Sequence, residues 1–97
     1  FIVSATGRAS VMWPGCWGDY TLTEEKNWDR PVYRNSEGFW HLYTTESGAW
    51  AVDYIVGDSK PFYRSTDPAP SPALCQNWAY LDGGQFKPGE ISVVVKK

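Results

Sequence analysis

Residues 39–56 read Phe39-Trp40-His41-Leu42-Tyr43-Thr44-Thr45-Glu46-Ser47-Gly48-Ala49-Trp50-Ala51-Val52-Asp53-Tyr54-Ile55-Val56, and the alternation within this stretch decides the fold class. From Phe39 to Tyr43, side chains of an extended chain place Trp40 and Leu42 on one face and Phe39, His41 and Tyr43 on the other. Glu46-Ser47-Gly48 has turn chemistry. In the run that follows, Trp50, Val52, Tyr54 and Val56 share a face opposite Ala49, Ala51, Asp53 and Ile55. Two alternating runs joined by turn residues predict a β-hairpin.

Working outward, Trp78 to Leu81 reads as a strand, Asp82-Gly83-Gly84 as a turn, and Pro88-Gly89 as a further turn before a strand from Ile91 to Val95. Lys96 and Lys97 would blunt the edge of that last strand. Pro61, Pro68, Pro70 and Pro72 mark residues 57–72 as mostly extended loop. Helical periodicity is hard to find, and short aromatic and β-branched runs recur between Gly, Pro, Asn and Asp. The expected class is all-β, a small antiparallel sheet or barrel-like domain, with residues 1–97 forming a single domain.

An internal similarity appears at an offset of 30 residues, where Arg30-Pro31-Val32-Tyr33-Arg34 falls on Lys60-Pro61-Phe62-Tyr63-Arg64. Upstream, Gly18, Tyr20 and Leu22 fall on Gly48, Trp50 and Val52. This spacing admits a construction from repeats of about 30 residues, with chance as the competing account because Gly, Pro and aromatics are common in the chain.

The formal net charge of −2 and a pI near 5.2 supply no basic field for phosphate backbones or anionic lipid, so no nucleic-acid partner is expected. Apolar runs such as Val93 to Val95 fall far short of the roughly 20 residues that span a bilayer, so no membrane insertion is expected. A start at Phe1 rather than Met fits a chain whose leader has been removed, or a trimmed one. Cys16 and Cys75 are the two thiols, and a bridge between them would stabilise the fold by roughly 4 kcal/mol through the long loop it closes. With small size and a Trp- and Tyr-rich composition, the expectation is a secreted protein with a Cys16–Cys75 disulfide.

Catalysis has little to work with. His41 is the single histidine, neither cysteine stands in a recognisable Cys/His motif, and no Gly-rich loop carries the Lys-Ser/Thr continuation of a phosphate site. Paired carboxylates such as Glu24-Glu25 keep a glycosidase conceivable by residue type, but a chain this short struggles to frame the cleft. A zinc site wants more Cys/His ligands than exist here, and Asp53, Asp58, Asp67 and Asp82 lack the spacing of a calcium loop. No enzyme, cofactor or metal ion is expected.

Six Trp, six Tyr and four Phe exceed what one small core needs, since each ring buries roughly 150–250 Å². Most rings at strand positions, among them Tyr20, Tyr33, Trp40, Trp50 and Tyr63, are expected in the core. Trp13 and Trp78 are ambiguous, and Trp28 stands apart because polar residues flank it on both sides. A sugar offers an apolar C–H face to an aromatic ring and hydroxyls to nearby Asp, Asn, Arg or His. An aromatic ring beside such polar residues recurs in Trp17-Gly18-Asp19-Tyr20, Asn27-Trp28-Asp29-Arg30, Tyr33-Arg34-Asn35, Trp40-His41 and Gln76-Asn77-Trp78. The candidate ligand-binding set is Trp28, Asp29, Arg34, His41 and Asn77, for a lectin-like protein whose partners are carbohydrates or glycoprotein glycans. Weak single sites would favour a homo-oligomer.

Gly18-Asp19-Tyr20-x-Leu22, Asn27-x-x-Arg30-Pro31-Val32-Tyr33, Leu42-Tyr43 and Trp50-x-Val52 together resemble a small extracellular module found in secreted, often multidomain, proteins of marine invertebrates and algae. The resemblance runs from about Gly18 to Gly57. It implies an extracellular setting and a scaffold role for Arg30 to Tyr33, and carries no activity with it. Two other readings remain open: a structural or adhesive protein-interaction module, and a small inhibitor or toxin-like protein presenting Asp67 to Pro72.

Overall fold

The computed structural model describes residues 1–12, 15–57 and 60–95. Trp13, Asp58, Lys96 and Lys97 therefore lie outside the described residues. Among the described residues, eight antiparallel strands follow one another around a closed barrel. They are β1 (Ile2–Thr6), β2 (Gly18–Asn27), β3 (Arg30–Asn35), β4 (His41–Thr44), β5 (Ala49–Asp53), β6 (Tyr63–Pro68), β7 (Trp78–Asp82) and β8 (Gln85–Val94). A short helix, α1 (Ala9–Met12), precedes β2, and a 3-10 helix (Pro72–Leu74) precedes β7. The barrel closes where β1 pairs β8, from Ile2↔Val94 to Thr6↔Glu90. Closure removes the exposed sheet edge on which other chains could template.

Turn chemistry explains the meander. The central β4–β5 hairpin forms with Tyr43 opposite Ala51, and its turn is closed by Thr45 N donating to Ala49 O at 2.7 Å and Gly48 N to Thr45 O at 3.0 Å. Gly48 takes φ +89°, and a Cβ there would lie 3.2 Å from Pro68. The β7–β8 turn uses Gly83 and Gly84, both at positive φ, between the paired residues Asp82 and Gln85.

Four local expectations change. The first hairpin strand starts at His41 rather than Phe39, because Gly38 N closes a turn on Asn35 O and Phe39 stands exposed just after it. Its partner stops at Asp53, where the chain leaves the sheet. Pro88-Gly89 is not a turn: β8 runs through it, pairing β7 up to Gly89 and β1 from Glu90 onward. The missing N–H of Pro88 is tolerated because that half of β8 is paired on one side. Likewise β6 forms inside the stretch expected to be loop.

Alternation sends Tyr20, Leu42, Trp50, Val52, Tyr63 and Val93 into the barrel, where they form the main core. Trp40 and Trp78 are also buried, and Tyr33 is half-buried against Phe1 and Trp50. The ring heads of Tyr20, Tyr63 and Trp17 find backbone acceptors, whereas the buried Trp78 Nε1 finds none among the described residues. Tyr20 donates to Cys16 O at 2.6 Å, Tyr63 to Ala9 O at 2.8 Å and Trp17 Nε1 to Ser10 O at 3.0 Å. These bonds tie the connection carrying α1 to the barrel, making it a plug. A second cluster of Val32, Tyr43 and Ala51 lies on the outer face, with Val56 packed on it. That cover explains why all five residues of β5 are buried.

The disulfide is not formed: Cys16 and Cys75 are not bonded to each other. Cys16 is fully buried beside Tyr20 and Tyr63, whereas Cys75 follows the 3-10 helix and points its S–H toward Asp67 O and Ser71 O. The two thiols serve separate local environments. The 30-residue similarity places Tyr33 and Tyr63 inward and Arg34 and Arg64 outward on β3 and β6. Eight meandering strands do not divide into three such units, and a repeat architecture is not seen.

Candidate functional site

The β2–β3 turn holds the most unusual backbone of the barrel. Asn27 pairs Arg30, so Trp28 and Asp29 form a two-residue loop, and both take positive φ, 53° and 60°. Such a type I′ turn favours Asn-Gly or Asp-Gly, and a residue with a Cβ is disfavoured there by roughly 1–2 kcal/mol. Trp28 nevertheless occupies it, and its side chain is 60% exposed. Its neighbour Asn27 is fixed by donating from Nδ2 to Thr44 O at 2.8 Å.

Beside this ring lies an open groove of about 660 Å³. Tyr43 and Ala49 contribute to its walls, and Asn27, Glu46, Ser47, Arg64 and Thr66 line it with polar groups. The Ser47 and Thr45 hydroxyls are 3.0 Å apart, which orders the β4–β5 turn at one end. A second groove of about 470 Å³ shares Arg64 and Thr66 and continues to Asn77, Trp78 and Phe86. The Arg64 guanidinium lies over the Phe86 ring, 3.8 Å from its centroid. Aromatic flats beside hydrogen-bonding side chains suit a flat, hydroxyl-rich ligand.

The five residues expected at one site fall in three places. Trp28 lines the first groove and Asp29 is exposed in the same turn. Arg34 and His41 are cross-strand neighbours on the outer face of β3 and β4, where His41 Nδ1 bonds Tyr54 O at 3.1 Å. Asn77 lines the second groove and accepts from Thr66 N at 2.8 Å through its backbone carbonyl. Arg64 and Thr66, on β6, connect the first and third places. Arg64 lies outside the set expected from sequence, although Tyr63-Arg64 matches Tyr33-Arg34 at the 30-residue offset; Glu46, Thr66 and Phe86 carry no local signal.

Among the described residues, no three His, Cys, Asp or Glu side chains gather as a metal cluster. Asp53 is buried on β5 with its Oδ1 accepting from Tyr54 N, and Asp82 pairs with Lys87 at 3.2 Å. Titration is shifted elsewhere: burial pushes the Cys16 thiol up to about 12 and raises Tyr20, and it also raises the less buried Cys75.

Another surface is aromatic. Tyr54 packs on Trp40 at 4.2 Å between centroids and on Phe62 at 5.5 Å, while Phe39, 68% exposed, and Ile55 stand free of the core. Together with Gly15 and Glu37, Phe39, Trp40 and Tyr54 enclose a shallow hollow of about 570 Å³. The proline-rich segment is anchored through its backbone, with Pro68 and Pro70 exposed. Trp50 Nε1 donates to Ala69 O at 2.9 Å, Arg30 donates to Pro70 O at 3.0 Å, and Pro72 is buried.

No known protein family matches this chain, nor does any curated protein or solved structure.

Proposed function

We propose that this protein is a secreted, non-enzymatic carbohydrate-binding module whose site is the groove beside Trp28. One observation carries the reading: an indole 60% exposed on a backbone at φ 53°, next to Asn27, Glu46, Ser47 and Thr66 in one groove. Strain retained at an exposed aromatic points to a role for that ring outside folding. The barrel interior is filled by Tyr20, Leu42, Trp50 and Tyr63, so a ligand meets the flank. Asp29 belongs to the turn, whereas Asn77 joins through the second groove; Arg34 and His41 form a separate outer row.

An extracellular setting rests on the resemblance of Gly18 to Gly57 to extracellular modules, and the unbonded thiols lend it no support. A single shallow groove binds a monosaccharide weakly, so homo-oligomerisation belongs to the proposal as the source of avidity.

The test is a glycan array with the folded protein, with and without Ca²⁺, followed by competition with free sugar. Selective, competable binding that Trp28→Ala lowers about tenfold or more, with an unchanged circular dichroism spectrum, is the expected result. A blank array sinks the proposal. It would turn attention to the second reading, an adhesive protein-interaction module, which is favoured by the exposed Phe39, Tyr54 and Ile55 surface. The inhibitor or toxin-like reading, which needs Asp67 to Pro72 presented to a target, meets a segment whose backbone is anchored at Ala69 and Pro70 and whose Pro68 and Pro70 are exposed.

A further inference from the structure

We infer that the carbohydrate taken by the Trp28 groove is acidic, with a uronate-type carboxylate held by Arg64 at the junction of the two grooves. The inference rests on the carbohydrate reading above and adds the ligand's charge and polarity of binding.

Arg64 projects outward from β6, with Ala51 opposite it on β5 and Ala79 opposite it on β7. Both neighbours are alanine, so nothing bulky crowds its stem and the guanidinium crosses the sheet to lie over Phe86, 3.8 Å from the ring centroid. Stacking holds an otherwise mobile side chain in one place. Among the described residues the guanidinium makes neither hydrogen bond nor ion pair, although it is exposed. Arg30, by contrast, donates to Pro70 O, and Lys87 pairs with Asp82. Arg64 is thus a pre-positioned fork of donors, and it lines both grooves. A carboxylate satisfies that fork through two parallel charge-assisted bonds.

Charge sets the direction. Glu46 lines the first groove and is absent from the second, whereas Arg64 lines both, so an anionic unit is repelled from Glu46 and drawn to Arg64 and the second groove. Beyond Arg64 the second groove is walled by Thr66, Gln76, Asn77, Trp78 and Phe86, with no second acidic side chain among its lining residues. A neutral ring stacked on Trp28 and an acidic ring at Arg64 therefore fit an oligosaccharide and not a single sugar.

The experiment is calorimetric titration of the protein with a uronic-acid oligosaccharide, its carboxyl-reduced neutral counterpart, and an oligosaccharide of the same length that carries sulfate esters and no carboxylate. The carboxylated form is expected to bind about tenfold or more tighter than the neutral one, with affinity falling as salt rises. Arg64→Gln should erase that preference, and Arg64→Lys, which keeps the charge and loses the fork and the stacking, should remove most of it. Phe86→Leu should weaken the carboxylated ligand more than the neutral one, because it releases the Arg64 fork as well as removing groove wall. Trp28→Ala should weaken both. Equal affinities for acidic and neutral forms, or an Arg64→Gln variant that keeps the preference, overturn the inference while leaving carbohydrate binding intact. A sulfated ligand that binds as tightly as the carboxylated one overturns the carboxylate assignment. Failure of all three oligosaccharides to bind overturns the inference and the carbohydrate reading together.

Discussion

At Trp28 and Asp29 two side chains with Cβ atoms hold a turn geometry suited to glycine, at φ 53° and 60°. Asp29→Gly relieves one of these positions, and we expect it to raise stability by about 0.5–1 kcal/mol in urea titrations, the gain reduced by the greater freedom of glycine in the unfolded chain. Saccharide binding should persist, because Trp28 is untouched; a loss of stability would show that the Asp29 side chain supports the turn. The thiols are a second residue-scale case. Cys16 is raised from its ordinary 9.0 to about 12, so above about pH 9 the unfolded chain releases this proton first. Its stabilising effect is therefore complete below about 9 and is lost as pH rises toward about 12, with buried Tyr20 acting in the same direction. Denaturation midpoints measured upward from pH 8.5 should fall, and Cys16→Ala should fall less steeply, with Tyr20 supplying the remaining slope. In native protein, iodoacetamide should label half-buried Cys75 well before Cys16. Equal labelling, or none at either thiol, would contradict the buried and unbonded arrangement. Trp28 was legible in the sequence because polar residues surround it; its positive φ was not, since Asn27-Trp28-Asp29-Arg30 lacks the glycine that marks a type I′ turn.

Among the elements, β8 best separates local from tertiary causes. Pro88-Gly89 has turn composition, yet the strand continues because β7 takes its first half and β1 its second. Gly89 serves packing at that crossing: an added Cβ would stand 2.8 Å from Tyr80 Cδ1 and 2.9 Å from Ala9 Cβ. Gly89→Ala should therefore destabilise by about 1–3 kcal/mol in chemical denaturation, by forcing the α1 plug or the Tyr80 ring aside. A neutral substitution would mean that α1 yields freely. The β4–β5 hairpin was readable because alternation and Glu46-Ser47-Gly48 act within a few residues. Its outer face was harder to assign: Tyr43 and Ala51 alternate as outward residues, but Val56 and the chain around it cover them.

For the whole molecule, that cover and the closed ladder predict where stability is concentrated. Amide hydrogen exchange should be slowest in β4 and β5, central strands flanked by paired neighbours, and fastest around the exposed Gly83-Gly84 turn. Exchange of Val52 as rapid as that of Gly84 would show that residues 54–57 do not seal the outer face. The sequence by itself determined an all-β, antiparallel chain, the β4–β5 hairpin and the burial of rings such as Tyr20, Trp50 and Tyr63, because period-two alternation and turn chemistry act over short range. Only the tertiary structure decided that β1 meets β8, that Cys16 and Cys75 stay apart, and that Arg64 lies on Phe86 while sharing a groove with Trp28. Those outcomes depend on how registers accumulate around a closed barrel, a quantity set jointly by all eight described strands and by no local segment.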